Sequence, residues 1–173
     1  MSTTQPLTVT FTALSLTDIK YDVEESDNSL REEVPEKSDE YVLRRYLARK
    51  LNERSKHRYT IPQEEEIDQE QRPDLRAESP KTNPVSIEIK WGDNWSVKDL
   101  VTGLEEQLVG QYMRARNSRY GVYVVANQTR NRHWIGPNGE RLCFAEMLKH
   151  LASVAVECQR KNNGVDGLRV IGI

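Results

Sequence analysis

The chain has 173 residues, with 25 Lys and Arg against 27 Asp and Glu, for a net charge of −2, and 36% hydrophobic residues. That composition suits one domain with a tail, excludes a wholly disordered chain, and leaves no run near the ~18 apolar residues of a membrane helix. Two cysteines, Cys143 and Cys158, make neither a disulfide framework nor a four-cysteine zinc site, and no signal-peptide pattern is read, so a cytoplasmic setting is expected.

Charge is strongly local although the total is nearly neutral. Residues 22–40 carry nine acids and two bases, residues 44–58 seven bases and one acid, and residues 114–132 five arginines and no acid. Taken singly, such runs are solvated faces; together, a basic helix and a basic turn suit phosphates, and clustered acids suit a divalent metal.

In chain order, Leu7–Leu14 alternates apolar and polar side chains and reads as a β-strand. Residues 22–37 are acidic and poor in aromatics, so 1–37 is expected to be an N-terminal strand followed by a mobile linker, with the domain at 38–173. Ser38 or Asp39 can cap a helix to about Arg54, with Val42, Leu43, Tyr46, Leu47 and Leu51 at helical spacing. Arg58–Ile61 and residues around Asp74–Ala77 read as short strands. Pro84–Trp91 alternates cleanly, with Val85, Ile87, Ile89 and Trp91 on one face and Ser86, Glu88 and Lys90 on the other. Ser96 can cap a helix reaching about Arg116, whose apolar stripe includes Leu100, Leu104, Leu108 and Tyr112. Gly121–Ala126 reads as a strand covered on both faces, 127–140 as a polar connection, Leu142–Arg160 as a helix and Gly167–Ile173 as a last strand. The fold class is α/β, a small mixed central sheet flanked by helices.

Glu88 and Lys90 are two residues apart on a strand, so a carboxylate and an ammonium project together. If the strand after Pro73-Asp74 pairs with theirs, Asp74 joins them. Two carboxylates and the carbonyl of Ile89 between them suit an octahedral Mg²⁺ or Mn²⁺ that keeps several waters, and Lys90 can steady a water or the charge developing on phosphate oxygens. That is phosphodiester hydrolysis.

Pro73-Asp74 followed by Glu88-Ile89-Lys90, in the order helix–strand–strand–strand–helix–strand, resembles the PD-(D/E)xK nuclease superfamily. The resemblance covers residues 39–126 and implies a restriction-endonuclease-like fold, metal held by Asp74, Glu88 and Ile89, assistance from Lys90, and an endonuclease acting on DNA. It also implies a glutamate on the preceding helix, matched best by Glu40 with Glu64 and Glu65 as competitors, and a glutamine on the following helix, Gln107 or Gln111. The Gln-x-x-x-Tyr pattern of RecB-like nucleases is approached but not met, because Tyr112 stands five residues after Gln107. Members act as homodimers or as domains of larger proteins. Arg44, Arg45 and Arg49, with Arg114, Arg116 and Arg119, are the expected DNA-backbone contacts.

Blander readings stand beside each of these. Glu88 and Lys90 can form a surface ion pair worth under ~1 kcal/mol, Pro73-Asp74 is good turn chemistry, and Glu40 is a favourable first-turn acid. A nuclease-like domain without catalysis, used for nucleic-acid binding or assembly, is the alternative from another class; a small α/β interaction module is a third. His57, His133 and His150 form no metal-ligand spacing, and no phosphate-binding Gly-rich loop implies a nucleotide cofactor.

Overall fold

The structure is a computed structural model that describes residues 16–19, 34, 39–62, 72–129 and 131–173. The expected strand Leu7–Leu14, nearly all of the acidic segment before Ser38, and Glu64 and Glu65 lie outside those residues. Leu16, Ile19 and Val34 are buried in the same apolar cluster as the main sheet.

Helix α1, Glu40–Arg54, starts where its sequence says it should: Asp39 Oδ1 accepts the Val42 N–H at 3.1 Å, and Glu40 lies in the first turn. It buries Leu43, Tyr46, Leu47 and Leu51. Arg58–Ile61, expected as a strand, contributes only one bridge, Thr60 to Glu78, because Pro62 follows at once. β1 (Leu75–Ser79) and β2 (Thr82–Trp91) form an antiparallel hairpin. β3 (Tyr120–Ala126) and β6 (Gly167–Gly172) then add in parallel, giving a four-stranded mixed sheet ordered β1-β2-β3-β6. The chain is therefore mixed α/β, and among the described residues no helix is long and apolar enough to cross a membrane.

The odd-numbered face of β2, Val85 to Trp91, packs under α1 in one apolar cluster. On the opposite face of the sheet, Tyr123 and Val125 pack with α2 (Val97–Thr102), the helical turns that continue it, and α3 (Phe144–Lys161). Both faces are covered, so Ser86, Glu88 and Lys90 are buried polar residues rather than a wet face. A parallel strand pair joined by a helix is normally buried in this way.

The helix after Ser96 departs from expectation. It ends at Tyr112 rather than near Arg116, and from Gly103 to Tyr112 it is wound as a π-helix. The winding changes where the Tyr123 hydroxyl donates to the Leu100 carbonyl at 2.9 Å. A side chain that takes a ladder carbonyl is one physical cause of such a change. A further departure is the two-stranded hairpin of β4 (Trp134–Ile135) and β5 (Arg141–Leu142), inside a stretch expected to be irregular. Two-residue strands fall below what alternation can reveal. Cys158 is a core residue as expected, whereas Cys143 is exposed at the start of α3.

Candidate functional site

Asp74 lies just before β1, and the last β1–β2 pair is Leu75 with Ile87, so Asp74 falls beside Glu88. Its Oδ2 accepts the Ile89 N–H at 2.8 Å. In a strand the N–H and C=O of one residue point to the same edge, so the Ile89 carbonyl also points toward Asp74, past the end of the ladder. Glu88 Oε1 holds Lys90 Nζ at 2.8 Å, with the two side chains only 4% and 11% exposed. The surface-ion-pair reading therefore does not describe this pair.

Glu40 reaches the cluster from the first turn of α1. One oxygen, Oε1, accepts both the Trp91 backbone N–H at 3.2 Å and the Trp95 indole N–H at 3.0 Å. Arg44, one turn further along α1, is close enough to Asp74 to stabilise its charge. Lys90 Nζ lies 5.6 Å from the Trp95 ring centroid. Gly103 is where the helix comes down onto the site: a Cβ there would stand 2.7 Å from Tyr123 Oη, 3.4 Å from Gln107 Oε1 and 3.5 Å from Lys90 Cε. That close approach requires glycine.

Electrostatics follow from crowding charge in a dry place. Burial, then the neighbouring Asp74 carboxylate, lifts Glu88 to about 7, against which the Lys90 ammonium pulls down. Asp74 is raised as well, chiefly by burial, opposed by the Ile89 N–H and Lys90. Burial disfavours the Lys90 ammonium, yet Glu88 outweighs it and the lysine is held above its ordinary value. Burial and the charges of Glu88 and Asp74 push Tyr112 up to about 12, which marks it as a neighbour of the same cluster. Tyr123 rises for the same reasons.

The structure thus gathers Asp74, Glu88, Lys90 and Glu40, with Gln107 beside Gly103, and leaves Gln111 exposed. Reading the helix at ~100° per residue put both glutamines beside the buried stripe; the π-helix separates them. Its hydrogen bonds span five residues, as in Met113 N–H to Leu108 O at 3.0 Å. Gln107 and Tyr112, five apart, therefore lie about one turn from each other along the helix. Trp95 is the site neighbour that sequence reasoning missed, and its position carries no local signal of it; Tyr112 enters the sequence reading only in the apolar stripe and through its spacing from Gln107.

Arg45 and Arg49 are exposed on α1. Arg114 and Arg116 are exposed after the π-helix, and Arg119 is engaged in another task. Its guanidinium binds both Asp166 oxygens at 2.6 and 2.7 Å and donates to the Asn163 carbonyl at 2.9 Å, tying β3 to the turn before β6. It precedes Tyr120, which pairs with Val85, and so lies some four strand positions, roughly 13 Å, from the Glu88 row.

The donor chemistry fits a hard divalent cation. Two neighbouring buried carboxylates, Asp74 raising Glu88, with a backbone carbonyl at the same edge, form the sparse oxygen set that Mg²⁺ uses together with water. Among the described residues no three His, Cys, Asp or Glu side chains converge into a cage, so Glu40 couples to the pair electrostatically without completing one. No family model matches the chain, and no curated protein or solved structure is significantly similar to it.

Proposed function

We propose that this chain is a metal-dependent nuclease of the PD-(D/E)xK type, with a restriction-endonuclease-like fold, hydrolysing DNA phosphodiesters as an endonuclease. One observation carries the reading: Asp74, immediately before β1, accepts the backbone N–H of Ile89, between Glu88 and Lys90 on the adjacent strand. The five-residue spacing of Gln107 and Tyr112 supports a RecB-like affinity, because the π-helix absorbs the extra residue between them.

Asp74, Glu88 and the Ile89 carbonyl would hold Mg²⁺ or Mn²⁺, which supplies positive charge at the phosphate and lowers the pKa of water there. Lys90 is an ammonium at neutral pH, since Glu88 holds its pKa up, so it acts as a fixed positive charge and hydrogen-bond donor rather than as a base. Glu40, with Oε1 fixed by two N–H groups, keeps Oε2 for orienting a water, and Gln107 borders the same space. Arg44 and Arg45 extend positive charge from the site along α1, where a phosphate backbone can lie.

The test is cleavage of plasmid and single-stranded DNA with Mg²⁺ or Mn²⁺ by wild type, Asp74→Ala and Lys90→Ala. Metal-dependent cleavage falling about 10²–10³-fold in both variants is expected. Cleavage that survives both substitutions would mean other residues do the chemistry. No cleavage by wild type under any of these conditions would favour a binding or assembly domain.

A further inference from the structure

Trp95 is the exposed member of the three tryptophans, at 37% against 3% for both Trp91 and Trp134, and it belongs to neither apolar cluster. Its side chain spends its contacts on charged groups instead. The indole N–H donates to Glu40 Oε1 at 3.0 Å, and the ring centroid lies 5.6 Å from Lys90 Nζ, within the range where an ammonium is attracted to an indole face. The backbone around it is fastened on both sides. Trp134 Nε1 donates to the Gly92 and Trp95 carbonyls at 3.1 and 3.2 Å, and Asp93 accepts the Gln128 and Thr129 N–H groups at 2.8 and 3.2 Å. Immediately after it, Ser96 and Asp99 form the capping box that starts α2.

An indole that is 37% exposed, with its N–H on Glu40 and its ring near Lys90, contributes more to the charged cluster than to the apolar core. We propose that Trp95 is a positioning residue of the site, setting Glu40 through its N–H and Lys90 through its ring face. The assignment rests on the nuclease reading for its consequence, since the groups it sets are those assigned to the water and the phosphate. One side chain thereby links Glu40 on α1, which packs on one face of the sheet, to Lys90, which projects from the other. The Glu40 carboxylate has the Trp91 backbone N–H as its other donor, so loss of the indole N–H frees it to rotate about one remaining tether.

Trp95→Phe keeps a ring face and removes the N–H; Trp95→Leu removes both. With Asp74→Ala as the inactive control, Trp95→Phe is expected to lower kcat about 10-fold and Trp95→Leu about 100-fold, as for other groups that orient a reactive residue. KM for DNA should stay within about twofold in Trp95→Phe, because the lost interaction acts on the reacting groups and not on substrate binding. In a Glu40→Ala background, Trp95→Phe should cost nothing further if the N–H works through Glu40. A readout independent of activity is acrylamide quenching of the metal-free protein, which reports Trp95 because the other indoles are buried. Glu40→Ala and Lys90→Met should each raise it.

Trp95→Phe at wild-type kcat, or an undiminished effect in the Glu40→Ala background, would overturn the assignment while leaving the nuclease reading intact. Absence of cleavage in the wild type would sink the nuclease reading itself. In that case quenching decides: an increase in both variants supports the positioning role, and no change in either overturns it.

Discussion

The Glu88 carboxyl is stripped of water and set beside Asp74, and together these lift it from an ordinary 4.5 to about 7. Between those values the native state binds a proton that the unfolded chain releases, so this group's contribution to stability falls as pH rises through that window. The metal-free protein should therefore gain more from Glu88→Gln at pH 8 than at pH 5, on the order of a few kcal/mol at the upper limit. Calorimetric melting at both pH values in the presence of a chelator checks this, and parallel curves for wild type and variant would refute it. Under the nuclease reading the same substitution should cost cleavage, the usual price of a strained site. Under the same reading Mg²⁺ should raise the wild-type melting temperature more than that of Glu88→Gln, because a bound cation would relieve the neighbouring carboxylates.

At the scale of the element, the π-helical segment Gly103–Tyr112 is what closes the site from above β2. A methyl group at Gly103 would fall 2.7 Å from the Tyr123 hydroxyl, closer than a Cβ tolerates, so Gly103→Ala must shift the helix or the tyrosine. Overpacking of this kind costs about 1–3 kcal/mol, and it should displace Gln107 and Lys90 with it. Thermal melting together with a cleavage assay separates the two effects: a stable, fully active Gly103→Ala would show that the close approach has no bearing on the site. In α1, Leu47 is wholly buried against the sheet, and Leu47→Ala should cost about 2–5 kcal/mol in denaturant unfolding.

Across the whole molecule, the arginines divide by what they touch. Arg44 lies on α1 beside the acidic cluster, with Arg45 exposed next to it on the same helix, whereas Arg119 is locked to Asp166 at the opposite end of β3. If α1 carries the phosphate backbone, Arg45→Ala should weaken DNA binding and reduce the slope of log affinity against log salt by about one. Arg119→Ala should lower the melting temperature and leave that slope unchanged. Titrations at several salt concentrations test both, and a slope that responds to Arg119 but not to Arg45 would place the DNA elsewhere.

Much of the architecture is written in local pattern. The alternation of Val85, Ile87, Ile89 and Trp91, the Asp39 and Ser96 caps, and the apolar run at 121–126 each specify an element through side-chain period or a terminal hydrogen bond. The proximity of Asp74 to Glu88 and Lys90 was legible only as a condition, that two strands pair, and the antiparallel β1–β2 ladder meets it. Other features had no local trace. The π winding begins where a hydroxyl from β3 meets a carbonyl of α2, and Trp95 reaches Glu40 across 55 residues of sequence. Arg119 looked like a phosphate ligand until its partner, 47 residues away, was in place. Sequence by itself determined the main helices and the strands of the central sheet, because period and capping act within a few residues. Tertiary structure alone decided which charges are buried together, because burial and distance exist only once the helices have closed over both faces of the sheet.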